Sequence, residues 1–159
     1  MSDHLNELID ESIRLETNVA DLYLRFQAAF PEDADFWWAL ALEEKNHAAL
    51  VRSLKEHFLP VGQVPENFLA SSLETVKETN RLIRGLLEKY RRTPPGLEEA
   101  FRVACRLEEG AAEIHFQEFM DRERTSELDK IFQRLNADDK DHGKKLRSYM
   151  KARGLACPD

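Results

Sequence analysis

The amino-acid sequence predicts an all-α protein, an antiparallel four-helix bundle of two helical hairpins joined by a long crossover that contains an extra helix. Three observations predict it. Apolar residues recur at alternating three- and four-residue spacing over four long stretches, the period of an amphipathic helix. Breakers are sparse, with 6 Gly and 6 Pro in 159 residues, while 33% of the residues are charged, which suits solvated outer helix faces better than a β fold. Finally, the seam of one hairpin is repeated in the other, polar positions included.

The first segment runs from about Asp3 to Ala29, with Leu5, Ile9, Ser12, Glu16, Val19, Tyr23, Phe26 and Phe30 on its stripe, and Pro31-Glu32-Asp33 ends it. The second starts near Asp33 or Asp35, where an acidic side chain can cap free N–H groups, and runs to about Phe58, before Leu59-Pro60-Val61-Gly62. Its apolar positions are Phe36, Leu40, Val51, Leu54 and Phe58; Glu44 and His47 fall in the gap of that stripe. In the crossover, 59–94, Ser71-Ser72-Leu73-Glu74 has the form of a capping box. Leu73, Val76, Ile83, Leu87 and Tyr90 then hold a helical period until Arg91-Arg92-Thr93-Pro94-Pro95-Gly96 breaks it. A third bundle helix is expected from about Pro95 to Asp121, with Leu97, Phe101, Ala104, Glu108, Ala111, Ala112, His115 and Phe119 on one face. Ser126, with Asp129 three residues on, opens a fourth that Gly154 ends after Arg153; its stripe is Leu128, Phe132, Leu135, Asp139, His142, Leu146 and Tyr149. The chain reads as a single domain: hairpin 3–58, crossover 59–94, hairpin 95–153 and a short tail 154–159.

A net charge of −7 and the absence of any basic block argue against a nucleic-acid partner. No stretch approaches the ~18 apolar residues of a membrane span, and the N-terminus is neither basic nor followed by an apolar run, so the expectation is a soluble, cytoplasmic chain. Cys105 and Cys157 are isolated, and without Cys-x-x-Cys neither a zinc ribbon nor a rubredoxin-type iron centre is encoded.

The repeat carries the functional argument. Leu15-Glu16-Thr17-Asn18-Val19-Ala20-Asp21-Leu22 aligns with Leu107-Glu108-Glu109-Gly110-Ala111-Ala112-Glu113-Ile114, and Leu42-Glu43-Glu44-Lys45-Asn46-His47 with Ala137-Asp138-Asp139-Lys140-Asp141-His142. Each hairpin thus supplies one lone seam Glu and one acid-x-x-His pair. Phe30 lies midway between Glu16 and Glu44, and the turn before Thr125 lies midway between Glu108 and Asp139. Residues equidistant from the turn of an antiparallel hairpin share a height, so the four acids converge in one layer with His47 and His142 about one turn away. A buried unpaired carboxylate costs several kcal/mol, so such a layer needs cations. Carboxylates and imidazoles are ligands for divalent first-row metals, and two iron ions suit this set, with zinc or manganese as possible substitutes. The neighbours Glu43, Glu109 and Asp138 read as solvated residues beside the seam, and His4 and His57 as surface residues.

At these residues the chain resembles the rubrerythrin-like branch of the ferritin-like superfamily, over nearly its whole length. The resemblance implies terminal carboxylate ligation by Glu16 and Glu108, bridging by Glu44 and Asp139, and imidazole ligation by His47 and His142. Tyr23 resembles the tyrosine often found near such centres, where its hydroxyl can bond a liganding carboxylate. The chain departs from the pattern in four places: Asp139 replaces a Glu, Ala111 stands where rubrerythrins carry a further Glu, and no rubredoxin-type domain follows. His115, answering Tyr23 in the second hairpin, is an extra ligand, a proton donor or a packed histidine. The expected activity is that of a non-haem di-iron oxidoreductase reducing hydrogen peroxide or dioxygen, a peroxidase in oxidative-stress defence, or a ferroxidase oxidising ferrous iron. Electrons would come from a separate donor protein such as a rubredoxin, and the resemblance implies a homodimer. The alternative is a metal-binding or metal-free helical-bundle interaction module without turnover.

Overall fold

The computed structural model of the chain describes residues 2–64, 69, 72–110, 121, 123, 126–135 and 142–157. Those residues are all-helical, with no strand among them. In chain order the α-helices are α1 (Ser2–Ala29), α2 (Ala34–Ser53), α3 (Leu73–Arg92), α4 (Leu97–Glu108), α5 (Glu127–Leu135) and α6 (His142–Arg153). Helix α1 packs along both α2 and α3, and α4 packs on α6. None of the described helices is long and apolar enough to cross a membrane.

The stripe of α1 is buried as its period predicts: Ile9, Tyr23 and Phe26 are fully enclosed, and Ser12 and Glu16 are buried with them. Each large apolar side chain fully removed from water contributes about 1.5–3 kcal/mol, so these faces drive the hairpin together. Pro31–Asp33 forms a single 3-10 turn between α1 and α2. Asp33 occupies the cap position of α2, but its carboxylate makes no capping bond. It accepts instead from the Tyr149 hydroxyl at 2.6 Å and from Arg153 Nε at 2.8 Å, so the tip of the first hairpin is tied to the end of α6. That competing cation and phenol are the reason the expected cap is absent.

Helix α2 also ends earlier than its periodicity predicts. Leu54–Phe58 is a π turn and Leu59–Val61 a 3-10 turn, closed by Gly62 in the left-handed region at φ 69°. The crossover helix α3 is capped by Ser72, whose hydroxyl accepts from the Thr75 N–H at 3.2 Å. It runs unbroken through Gly85. Asn80, polar within that apolar period, is buried and bonds α1 twice through Glu11, at 3.0 and 2.8 Å, while Asn18 donates to it at 3.1 Å.

Helix α4 ends at Glu108, where the expected third helix continues to Asp121. The Gly110 N–H turns to the Leu107 carbonyl at 3.2 Å, a tightened last turn, and residues 111–120 lie outside the described residues. Ser126 takes the Asp129 N–H at 3.1 Å as its motif predicts. Gly154, at φ 76°, closes α6 with Leu155 N–H bonded to Met150 O at 2.9 Å.

Candidate metal centre

Four helices bring one buried polar layer together. Glu16 comes from the middle of α1, Glu44 and His47 from one face of α2, Glu108 from the last residue of α4, and His142 from the first of α6. All five are buried. One donor atom each from Glu16, Glu44 and His47 lies within 4.8 Å of the others, and the same holds for Glu44, Glu108 and His142. Glu44 belongs to both groups. Its Oε2 lies 3.4 Å from His47 Nδ1 and its Oε1 lies 2.8 Å from His142 Nδ1, so its two oxygens face two different imidazoles. The outer carboxylates complete each side: Glu16 Oε2 is 3.7 Å from His47 Nδ1, and Glu108 Oε2 is 3.3 Å from His142 Nδ1. The two rings lie nearly parallel, 12° apart, with centroids at 5.3 Å.

The donor set fits divalent metal ions. Among the described residues, Glu16 Oε2 and both oxygens of Glu44 are buried without a hydrogen-bond donor. The imidazole nitrogens approach them at ion-pair distance without hydrogen-bond alignment. Oxygen and nitrogen lone pairs therefore converge on shared space, and buried carboxylate oxygens left this way are costly unless a cation replaces the lost water. Each side offers carboxylate and imidazole ligands, the chemistry of iron, zinc or manganese sites.

Charge in the layer is strongly coupled. Burial pushes the Glu16 carboxyl up to about 8, helped by the neighbouring Glu44 charge and opposed by His47. Burial also raises Glu108, with Glu44 adding to it. Glu44 moves the other way: burial opposes its ionisation, but His142 and His47 together hold it well below the usual carboxylate range. Burial works to lower both histidines, yet the facing carboxylates keep them well above the ordinary imidazole value. These protons must leave when a cation binds.

The surroundings orient the layer. The Tyr23 hydroxyl donates to Glu108 Oε1, joining α1 to α4. Glu43, expected in solvent beside the seam, is instead largely covered: its Oε2 lies 2.8 Å from His142 Nε2, and Lys145 Nζ donates to its Oε1 at 2.7 Å. It faces away from the Glu44 side of the ring and contacts the outer nitrogen of the same histidine. A signal for it exists in the repeat, where an acid precedes the seam acid in both hairpins, Glu43 and Asp138. Asp139, His115, Asp138 and Ala111 lie outside the described residues. His4 and His57 are exposed.

Compared with known proteins, the chain matches no family model, no curated protein and no solved structure.

Proposed function

We propose that the chain is a rubrerythrin-like di-iron carboxylate protein of the ferritin-like kind, a non-haem oxidoreductase that reduces hydrogen peroxide or dioxygen. The observation that carries this reading is Glu44, one carboxylate whose two oxygens face two imidazoles, each with its own outer glutamate. Glu16 with His47 would hold one iron ion and Glu108 with His142 the other, with Glu44 spanning them and Asp139 as a further ligand. Two ferrous ions held side by side supply one electron each to an O–O bond.

The protein's own groups prepare that chemistry. The Tyr23 hydroxyl holds a proton at Glu108 Oε1 and fixes the orientation of that carboxylate. Glu43, braced by Lys145, contacts the outer nitrogen of His142 while the inner nitrogen faces the site. Trp37, Tyr23 and Phe101, all fully buried, exclude bulk water from the adjoining core. Electrons to restore the ferrous state come, in this reading, from a separate one-electron donor of the rubredoxin class, and the working unit is a homodimer. Oxidation of incoming ferrous iron is the same chemistry turned to iron handling.

Stripped of metal and reloaded anaerobically, the protein is expected to bind two ferrous ions per chain and to be reoxidised by peroxide faster than free ferrous ion. Glu44→Ala is expected to lose that loading. Reoxidation no faster than that of free ferrous ion sinks the proposal. Starting from stripped protein matters, because zinc or manganese can replace iron during purification.

One observation favours a second reading. With both histidines held well above the ordinary imidazole value and Glu16 pushed up to about 8, the layer can balance its charge with protons alone. A metal-free or zinc-binding helical module would then keep this fold without turnover. Metal analysis separates the two: no metal, or a single zinc that ferrous iron does not displace, favours the module.

A further inference from the structure

Beside the polar layer, Trp37 gathers an aromatic cluster that includes all three tyrosines of the chain. From Tyr23, whose hydroxyl touches Glu108, the rings run to Trp37 at 5.7 Å between centroids. Trp37 meets Phe36 at 5.5 Å, and Phe36 stacks on Tyr149 at 3.9 Å with planes 11° apart. A parallel route passes through Phe101, 4.6 Å from Trp37 and 5.8 Å from Tyr149. Tyr23 and Trp37 are fully buried, whereas Tyr149 is half-exposed. A continuous line of aromatic rings therefore joins a candidate metal ligand to the surface.

Two details distinguish this line from ordinary core packing. Trp37 Nε1 is buried with no hydrogen-bond partner among the described residues, a cost that a phenylalanine would avoid. Moreover, the outer phenol is coupled to a base: Tyr149 donates to Asp33 at 2.6 Å, and Arg153 Nε lies 2.8 Å from the same oxygen. Burial opposes ionisation of Asp33, but Arg153 and Tyr149 hold its carboxyl below the ordinary value, so it is an ionised hydrogen-bond acceptor that takes the phenolic proton only as the ring loses an electron and turns strongly acidic.

We infer that this aromatic line is an electron path by which Tyr149 supplies a missing electron to the candidate metal centre. The inference rests on the di-iron reading above. It applies when peroxide meets a centre holding a single ferrous ion, which can give only one of the two electrons that peroxide needs. Hydrogen peroxide then takes one electron from the ferrous ion and one from Tyr149, and with two solvent protons its O–O bond breaks to give two waters. The iron becomes ferric, the Tyr149 phenolic proton passes to Asp33, and a neutral tyrosyl radical remains. A one-electron donor at the surface later returns the electron, and Asp33 returns the proton. The path keeps the unpaired oxidising equivalent on the protein and prevents its release as hydroxyl radical.

The test loads the full chain with one ferrous equivalent anaerobically, mixes it with peroxide and freezes it for electron paramagnetic resonance, with iron content and iron oxidation measured on the same samples. The expected result is a radical whose hyperfine pattern changes with ring-deuterated tyrosine. Tyr149→Phe, which keeps the ring stack, is expected to lose most of that signal and to release more spin-trapped hydroxyl radical. Trp37→Phe should slow its appearance, and Tyr90→Phe should leave it in place. Iron that is oxidised with no tyrosyl signal, or a signal unchanged in Tyr149→Phe, overturns the path and leaves the di-iron reading standing. A chain that holds no iron overturns both.

Discussion

Glu16 is a carboxyl that burial keeps protonated near neutral pH when no cation is present, with a value pushed up from 4.5 to about 8. Glu108 is shifted in the same direction, and both seam histidines hold their protons well above 6.5. Between pH 4.5 and about 8 the folded, metal-free chain therefore binds protons that the unfolded chain has released, and stability must fall as pH rises through that range. Denaturant titrations of the stripped protein at pH 5.5 and 8, chosen as roughly the two ends of this window, are expected to show the lower midpoint at the higher pH. Glu16→Gln should flatten the difference. Metal affinity should run the opposite way and rise with pH, because ligands lose protons to bind. At this scale the sequence was largely legible: Glu16, Glu44, His47, Glu108 and His142 interrupt apolar stripes and are buried where the stripes place them. Glu43 was misread, because helical periodicity locates faces and cannot show that Lys145 and His142 from α6 cover a residue at the margin of one.

Between elements, the polar contacts set register. Asn80 fixes α3 against α1 through Glu11 and Asn18 within an otherwise apolar face. Asn80→Ala leaves the Glu11 carbonyl and the Asn18 amide short of their partners at a largely buried position, and is expected to cost about 1–3 kcal/mol, measured as a lower urea midpoint with unchanged m-value. A comparable loss from Glu74→Ala, at the exposed face of the same helix, would contradict this assignment, since its partner Arg81 is exposed as well. Helix starts governed by local chemistry follow from the sequence to within a residue: Ser126 caps its helix as its spacing predicts, whereas α3 is capped by Ser72, one residue later than a box closed by Glu74 requires. Asp33 does not, because its partners Tyr149 and Arg153 are remote in the chain and outcompete the local cap. The π turn after Ser53 was equally hidden, since the apolar spacing of Leu54 and Phe58 fits an α-helical turn as well.

For the whole molecule, the repeat anticipates that seam residues from both halves of the chain meet. His142 reaching Glu44 across the core, beside Tyr23 reaching Glu108, puts residues of both halves in one layer, while the equal-distance argument for the second half runs through Asp139, outside the described residues. What the repeat cannot give is how side chains divide between ligand and support, since that depends on contacts between halves. A site built from four helices should couple metal binding to global stability. At ferrous iron about 100-fold above the dissociation constant, stabilisation of about 2.7 kcal/mol is expected, seen as a rise in unfolding temperature by anaerobic calorimetry. Glu44→Ala should abolish that rise, and a rise of the same size in the variant would place the metal elsewhere.

In the di-iron reading, Glu44 joins two metal positions into one centre. Mössbauer spectroscopy of the stripped chain, reconstituted with iron-57 and then oxidised, reads out that junction. Two ferric ions per chain, coupled antiferromagnetically into a diamagnetic pair, are expected. A magnetically isolated ferric ion at full loading, or no bound iron, would contradict it.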